Sequence, residues 1–422
     1  MISPAVMSLI ILLLCIILFV TEAFSMATTA VLGCVLMVLF KVSDYNTVFG
    51  TFSSSTIVLL VSIMIIGQTM FNNGVTQYIG QKLFRLSRGN ERRLLFISTL
   101  LASFISAFMS NVATVTLFMG LFSSFAKDNK KINVRNLMLP IGMASVVGGA
   151  TTLIGSAPQL TAQNYLISSN LQGFKFFDFS YVGIFLIILL AIYVTFIGYP
   201  IGIKVWGDLP ENDEKDEAIT HTNYDKKRMI ASVLIFTATI ILLFWEPIPM
   251  AVIAASGALL TIMTNLITPK DAVQSIKWSS VLKVAGSLGI LQAVNASGGN
   301  KLIGQFFLNL IGKKISPYLL LLLIVVITQL LSEFMADSPT ILIVLPVTVS
   351  ICMEYGFNVH SFAMAIILSS ATACCSPLSN TPLMLVSTYG YRFSDFIKYN
   401  ILWDILSALL IFLLVPVFFP LV

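Results

Sequence analysis

Charge is scarce in this 422-residue chain: Asp, Glu, Lys and Arg make up 10% of it, against 57% hydrophobic residues. That balance excludes a water-soluble globular domain and fits a polytopic membrane protein. The only long charged stretch runs from Asp208 to Arg228, which leaves no room for a soluble enzyme domain or a nucleotide-binding cassette. Histidine is rarer still, limited to His221 and His360, both expected in loops with no role. The acidic residues expected within the membrane, Glu333, Asp337 and Asp404, stand apart in sequence. A membrane enzyme needs paired carboxylates on a metal or a nucleophile with its base, and neither pattern occurs, so an enzyme is not expected. The five cysteines (Cys15, Cys34, Cys352, Cys374, Cys375) lie in apolar segments without metal-ligand spacing. Neither a disulfide framework nor a zinc site nor an organic cofactor is expected. Cys374 and Cys375 read as packing residues rather than as thiol chemistry or soft-metalloid recognition. The net charge of +5 bears on membrane topology rather than on nucleic acid, which is not an expected partner. The first apolar run lacks a basic leader, so Pro4 to Val20 reads as a retained span rather than a cleaved signal.

What the chain has in abundance is long apolar runs. A membrane core needs roughly 20 apolar residues per helix, and plain spans fall near 4–23, 26–41, 54–72, 180–203, 230–246, 248–267, 279–296 and 396–419. Residues 93–126 do not fit, because one helix of that length would be roughly 50 Å long against a core of about 30 Å. Arg92 and Arg93 precede the segment, and Lys127, Lys130 and Lys131 follow it, so both of its ends belong in the cytoplasm. A re-entrant hairpin turning at Ser110 to Thr114 satisfies both facts. Residues 317–355 have the same shape, with a polar interruption from Ala336 to Thr340.

The two hairpins are copies. Ser106 to Thr114 reads SAFMSNVAT and Ser332 to Thr340 reads SEFMADSPT, four identities in nine at an offset of 226. The same offset carries Ser53 and Ser54 onto Ser279 and Ser280, which marks an internal duplication. Each hairpin is followed by a helix with a polar, Gly/Pro-containing middle: GGATTLIGSAP from Gly148 to Pro158, and SSATACCSPLSNTP from Ser369 to Pro382. These read as broken helices over about 136–166 and 361–388. The expected fold is an all-α polytopic membrane protein of two inverted repeats, residues 1–203 and 230–422, around a cytoplasmic linker at 204–229. Each repeat holds five transmembrane segments plus one re-entrant hairpin, and the odd number of crossings inverts the second copy. With the N-terminus outside, 18 Lys and Arg fall in cytoplasmic loops and five outside, with Lys283 inside a span. Residues 75–90 and 299–314 read as interfacial helices.

Broken helices in inverted repeats expose backbone N–H and C=O groups near the bilayer midplane, where only a cavity, an ion or a ligand satisfies them. Helix N-termini suit an anion, while unwound carbonyls and side-chain oxygens suit sodium. Alternating access follows more naturally than a continuous channel.

Ser110-Asn111-Val112 followed by Gly148-Gly149 and the stretch Leu153 to Pro158 resembles the Ser-Asn-Thr and Gly-Thr-Gly-Pro motifs of the divalent anion/sodium symporter family. That family is part of the wider ion transporter superfamily, and span order and duplication extend the resemblance over nearly the whole chain. The resemblance implies a first sodium site on Ser110, Asn111 and the backbone near Gly155. It implies a second on Ala336, Asp337 and the backbone near Ser379. Asn111, Val112, Asp337, Ser338, Asn380 and Thr381 would face the substrate. It further implies a homodimeric, sodium-coupled elevator for a di- or tricarboxylate or sulfate-like anion; the compact length without targeting extensions makes a bacterial plasma membrane the expected location.

The chain departs from that pattern where Val112 replaces a threonine, where Ala336-Asp337-Ser338 replaces the second Ser-Asn-Thr, and where Asn380-Thr381 replaces Thr-Pro. An ionised group at mid-membrane costs about 2.5 to 3.5 kcal/mol on insertion scales, so Asp337 is expected to be the coupling residue, binding sodium or carrying a proton. Asp337 also keeps open a cation/proton antiporter or a metalloid or organic-anion exporter of the same superfamily. Lys283 is expected to snorkel to the cytoplasmic interface or to pair with an acid, and Glu333 and Asp404 are secondary candidates.

Overall fold

The computed structural model describes residues 3–21, 23–75, 78–79, 82, 86–128, 132–206, 225–299, 302, 315–377 and 380–422. Helix is the only regular secondary structure among them, as a bilayer requires of a chain that must satisfy its own backbone groups. Among the described residues six helices are long and apolar enough to cross a membrane, with five shorter apolar ones beside them, and the chain is an integral membrane protein.

The first spans are α1 (Pro4–Val20), α2 (Met26–Leu39) and α4 (Ser55–Asn72). Between the last two lies α3 (Tyr45–Phe49), a short helix that composition alone does not announce. Asp44 starts it by accepting from the Thr47 N–H at 2.9 Å. The segment expected to break near Ser110 does so: α5 (Glu91–Ser106) and α6 (Asn111–Asp128) are separate helices packed against each other. The helix that follows divides into α7 (Val134–Gly149) and α8 (Ala157–Ser168). Next comes α9 (Ser180–Ile192), which runs through a π-helical turn, Tyr193–Gly198, into α10 (Tyr199–Trp206). Pro200 lacks an N–H and its ring crowds the carbonyl four residues back, which widens the turn before it.

In the second half, α11 (Lys226–Trp245), α12 (Met250–Met263) and the short α13 (Pro269–Gln274) lead to α14 (Trp278–Ala296). The second expected break separates α15 (Pro317–Phe334) from α16 (Asp337–Tyr355), again a packed pair. The second divided helix gives α17 (Val359–Thr372) and α18 (Thr381–Ser387), and α19 (Phe393–Phe418) closes the chain. The two expected interfacial helices and the charged linker with His221 fall largely or wholly outside the described residues.

Small residues decide which helices meet. Between α2 and α14, a Cβ on Gly33 would lie 2.5 Å from Ile290 Cδ1, and one on Gly289 would lie 2.6 Å from Cys34 Sγ. The Cys34 thiol donates to Gly286 O at 3.1 Å across the same seam, the close backbone approach that drives helix association where lipid is the solvent. α4 meets α12 in the same manner, with Gly257 against Ile66. Within each half the divided helix packs on its preceding pair: α7 on α5 and α6, and α17 on α15 and α16. α7 and α17 are almost wholly buried, whereas α11 turns Leu234, Phe244 and Trp245 outward.

Candidate functional site

Four interruptions of helix meet at one cavity of about 230 Å³. From the first half it is lined by Ser110, Asn111 and Val112 at the start of α6 and by Gly155 ahead of α8. From the second half come Ala336, Asp337 and Ser338 at the start of α16, with Asn380 and Thr381 at the start of α18. Nine of the ten residues singled out from sequence are therefore neighbours in space, and Ser379 lies outside the described residues.

The arrangement presents helix N-termini to one small volume. α6, α8 and α16 all begin on its wall. The residues capping α8 and α16, Ser156 and Ala336, make no side-chain cap bond, so the first-turn N–H groups are left for whatever enters. The Ser156 hydroxyl bonds instead to Gln159 Oε1, and Gln159 Nε2 donates to Gly149 O at 3.0 Å. The side chain of Asn111 is fixed from behind: Ser106 Oγ donates to Asn111 Oδ1 at 2.9 Å and makes a 2.7 Å contact to Ser145 O. The glycines of the first break are there for space. A Cβ on Gly149 would sit 2.3 Å from Asn111 Oδ1, and one on Gly155 would sit 2.2 Å from Gly149 O.

Two lysines on α14 and its N-cap, which sequence reasoning did not place here, line the same cavity. Lys277, expected in a cytoplasmic loop, reaches in to donate from Nζ to Ser110 Oγ at 2.6 Å. Lys283 does not snorkel away: it lines the cavity within electrostatic reach of Asp337. Asp337 is 8% exposed and leaves Oδ1 with no partner. Two lysines against one aspartate leave the charged lining with more basic than acidic groups, which suits an anion. The signal available in sequence was the odd placement of Lys283 inside an apolar run; nothing local marks Lys277.

Two expectations are corrected. Glu333 and Asp404 are not isolated, because the C-terminal end of α15 and the middle of α19 meet at the break after α17, where with Cys375 their ligand atoms lie within 4.8 Å of one another. The N–H groups of Cys375 and Cys374 donate to Glu333 Oε1 at 3.1 Å and to Asp404 Oδ1 at 3.3 Å. His360 is not in a loop but in the first turn of α17, stacked on Phe174 at 4.1 Å and 3.9 Å from Asp178.

Comparison with known proteins bears on this arrangement. The family model described as "Citrate transporter" matches residues 16–335 and 240–421. The chain belongs to the citrate transporter family. A transporter of Methanocaldococcus jannaschii is 25% identical over 348 residues, 81% of this chain and 77% of that one. The sodium-dependent dicarboxylate transporter SdcS of Staphylococcus aureus is 21% identical over 439 residues, 96% of this chain and 84% of that protein. The crystal structure of the Alcanivorax borkumensis YdaH transporter superposes with a TM-score of 0.55 at 16% identity, covering 88% of this chain and 87% of that one. That likeness is one of fold. Membership in the citrate transporter family makes the chain a membrane transporter and not an enzyme, and the resemblance to divalent anion/sodium symporters stands with it.

Proposed function

We propose that this chain is a secondary-active transporter that moves a small di- or tricarboxylate across the membrane in company with sodium. The observation that carries the reading is the cavity itself: helix N-termini and two lysines face the same space as a buried aspartate with an unpartnered oxygen. N-termini and ammonium groups attract the carboxylates, while Ser110, Asn111 and the backbone near Gly155 offer oxygens to a cation. Asp337 is the coupling residue, with Ala336 and the backbone near Ser379 completing the second cation position. Asn111, Val112, Ser338, Asn380 and Thr381 face the substrate. The name of the Staphylococcus aureus relative, a sodium-dependent dicarboxylate transporter, supports both the ion and the substrate class.

In this reading residues 1–203 and 230–422 are inverted repeats and each packed helix pair is a re-entrant hairpin. The pairing of helices supports it, since α2 with α14 and α12 with α4 are counterparts under exchange of the halves, as are α7 with α5 and α17 with α15. The N-terminus lies outside a bacterial plasma membrane, the linker at 204–229 inside, and two copies form a dimer in which hairpins and broken helices move as an elevator.

The test is uptake of labelled citrate, succinate and sulfate into proteoliposomes under an inward sodium gradient, repeated with a proton gradient alone. Accumulation of a carboxylate above equilibrium with sodium supports the proposal. Equal accumulation under the proton gradient alone replaces the ion, and flux that never exceeds equilibrium overturns secondary-active transport.

A further inference from the structure

Lys277 is the N-cap residue of α14, and its Nζ donates at 2.6 Å to the hydroxyl of Ser110, 167 residues away at the tip between α5 and α6. A lysine at a helix end ordinarily runs its ammonium out to water. This one is half-buried and turned into the cavity, on the wall it shares with Asn111 and Gly155. The ion pair recorded among the described residues joins His360 and Asp178, so no carboxylate there holds Lys277. A neutral hydroxyl does, at the short end of distances for an ammonium donor. The contact is not a requirement of the repeated architecture. The offset of 226 that relates the halves carries Lys277 onto Thr51 and Ser110 onto Ala336. The Thr51 hydroxyl is spent on Val48 O at 2.8 Å and Ala285 O at 2.9 Å, and alanine has no side-chain oxygen. At the second tip the charged group is the buried carboxylate of Asp337, with Oδ1 unpartnered. The first tip alone carries an ammonium on a hydroxyl.

We propose that the Lys277 ammonium is a tethered cation that fills the first of the two cation positions in the substrate-free protein. The inference rests on the reading of the cavity as a joint site for anion and cation. An ammonium is a compact point charge, with the same charge as a sodium ion and the same preference for oxygen. Two such charges on one hydroxyl, a few ångströms apart in a water-poor site, repel each other. Without substrate, sodium therefore binds at Asp337 alone, and it reaches Ser110 only by displacing the ammonium. The displaced ammonium remains in the cavity on its tether, where a substrate carboxylate is its partner. Substrate thereby lowers the cost of the displacement, and by linkage sodium at the first position raises substrate affinity by the same factor.

The test is made without substrate. Purified protein in detergent is titrated with sodium chloride against choline chloride at constant ionic strength, with thermal stability as the readout. Asp337→Asn removes the second position, so that the first is read by itself. In that background Lys277→Met is expected to lower half-saturating sodium at least about tenfold, within the usual range of coupling factors. With Ser110→Ala also present, Lys277→Met is expected to change it by less than about twofold, the limit for uncoupled positions. A parallel titration uses methylammonium chloride on Lys277→Ala, whose shortened side chain leaves room beside Ser110. Its half-stabilising concentration is expected at least about tenfold below that of wild type, again only with Ser110 intact. The inference is overturned if neither cation gains, or if the gain survives Ser110→Ala, since it then reports the field of the lysine rather than this position. A wild type that responds to sodium while no Lys277 variant differs from it ends the inference and leaves the joint site standing. A Ser110-dependent methylammonium gain with no sodium response in any variant ends the sodium reading and leaves the tethered cation standing.

Discussion

Gly149 is the last residue of α7, and a Cβ on it would lie 2.3 Å from Asn111 Oδ1 and 2.9 Å from both Asn111 Cγ and Nδ2. In Gly149→Ala the whole amide must therefore retreat by about 1 Å to reach ordinary contact, since the interior is close-packed. The retreat stretches the 2.9 Å bond from Ser106 Oγ, which removes about 0.5 to 1.5 kcal/mol. Overpacking adds about 1 to 3 kcal/mol, for a combined loss of about 2 to 4 kcal/mol. Displacement of Asn111 by about that distance also costs transport, up to about a hundredfold where geometry governs the site. The assay is a thermal melt in detergent beside sodium-driven uptake. The diagnostic is the double variant: adding Asn111→Ala removes the clash, so the melt recovers while uptake stays low. A single variant that melts and transports like wild type, or a double variant no more stable than Gly149→Ala, refutes the reasoning.

Further outcomes follow from neighbouring contacts. Ser110→Ala deletes the acceptor of Lys277, and loss of that charge-assisted bond should lower stability by about 1.5 to 3 kcal/mol, read in the melt; loss of one proposed sodium ligand should in addition raise half-saturating sodium for uptake. Gln163 clamps the segment after α8 by accepting from Phe174 N at 2.5 Å and donating to Phe174 O at 3.1 Å. Gln163→Leu orphans both groups and should lower stability by about 2 to 4 kcal/mol, read in the melt. Asp44 lies ahead of the span, and Thr47, through its hydroxyl and N–H, holds the Asp44 carboxyl below the ordinary aspartate value of 3.8. A lowered folded-state value means the contribution is present above 3.8 and lost as pH falls through the lowered value. The melting difference between wild type and Asp44→Ala should accordingly persist at neutral pH and vanish only in strong acid.

Much of the fold is legible in the chain because a bilayer imposes a length rule. The excess length of residues 93–126 and 317–355 announced two breaks, and helices do end at Ser106 and Phe334. The paired polar interruptions announced which residues would share a cavity, because a broken helix leaves backbone groups that must be satisfied together. What escaped were features set by tertiary contact. Lys277 reads as a loop lysine, and only the fold brings it to Ser110. Glu333, Cys375 and Asp404 are distant in sequence, so their cluster follows from how α15 and α19 cross. The short helix α3 did carry a local signal, Asp44 three residues before Thr47, but it is too brief to register against the long apolar runs around it.

The central claim is that substrate and sodium meet between the tips at Ser110 and Asp337. It is tested most directly by determining the structure in lipid with citrate and sodium, beside the same preparation in choline without citrate. The account predicts density for a carboxylate against the N-termini of α6 and α16 and the Lys283 ammonium, with a cation beside Asp337, in the loaded sample alone. Citrate bound elsewhere, or an unchanged cavity in a preparation that transports citrate, would contradict it.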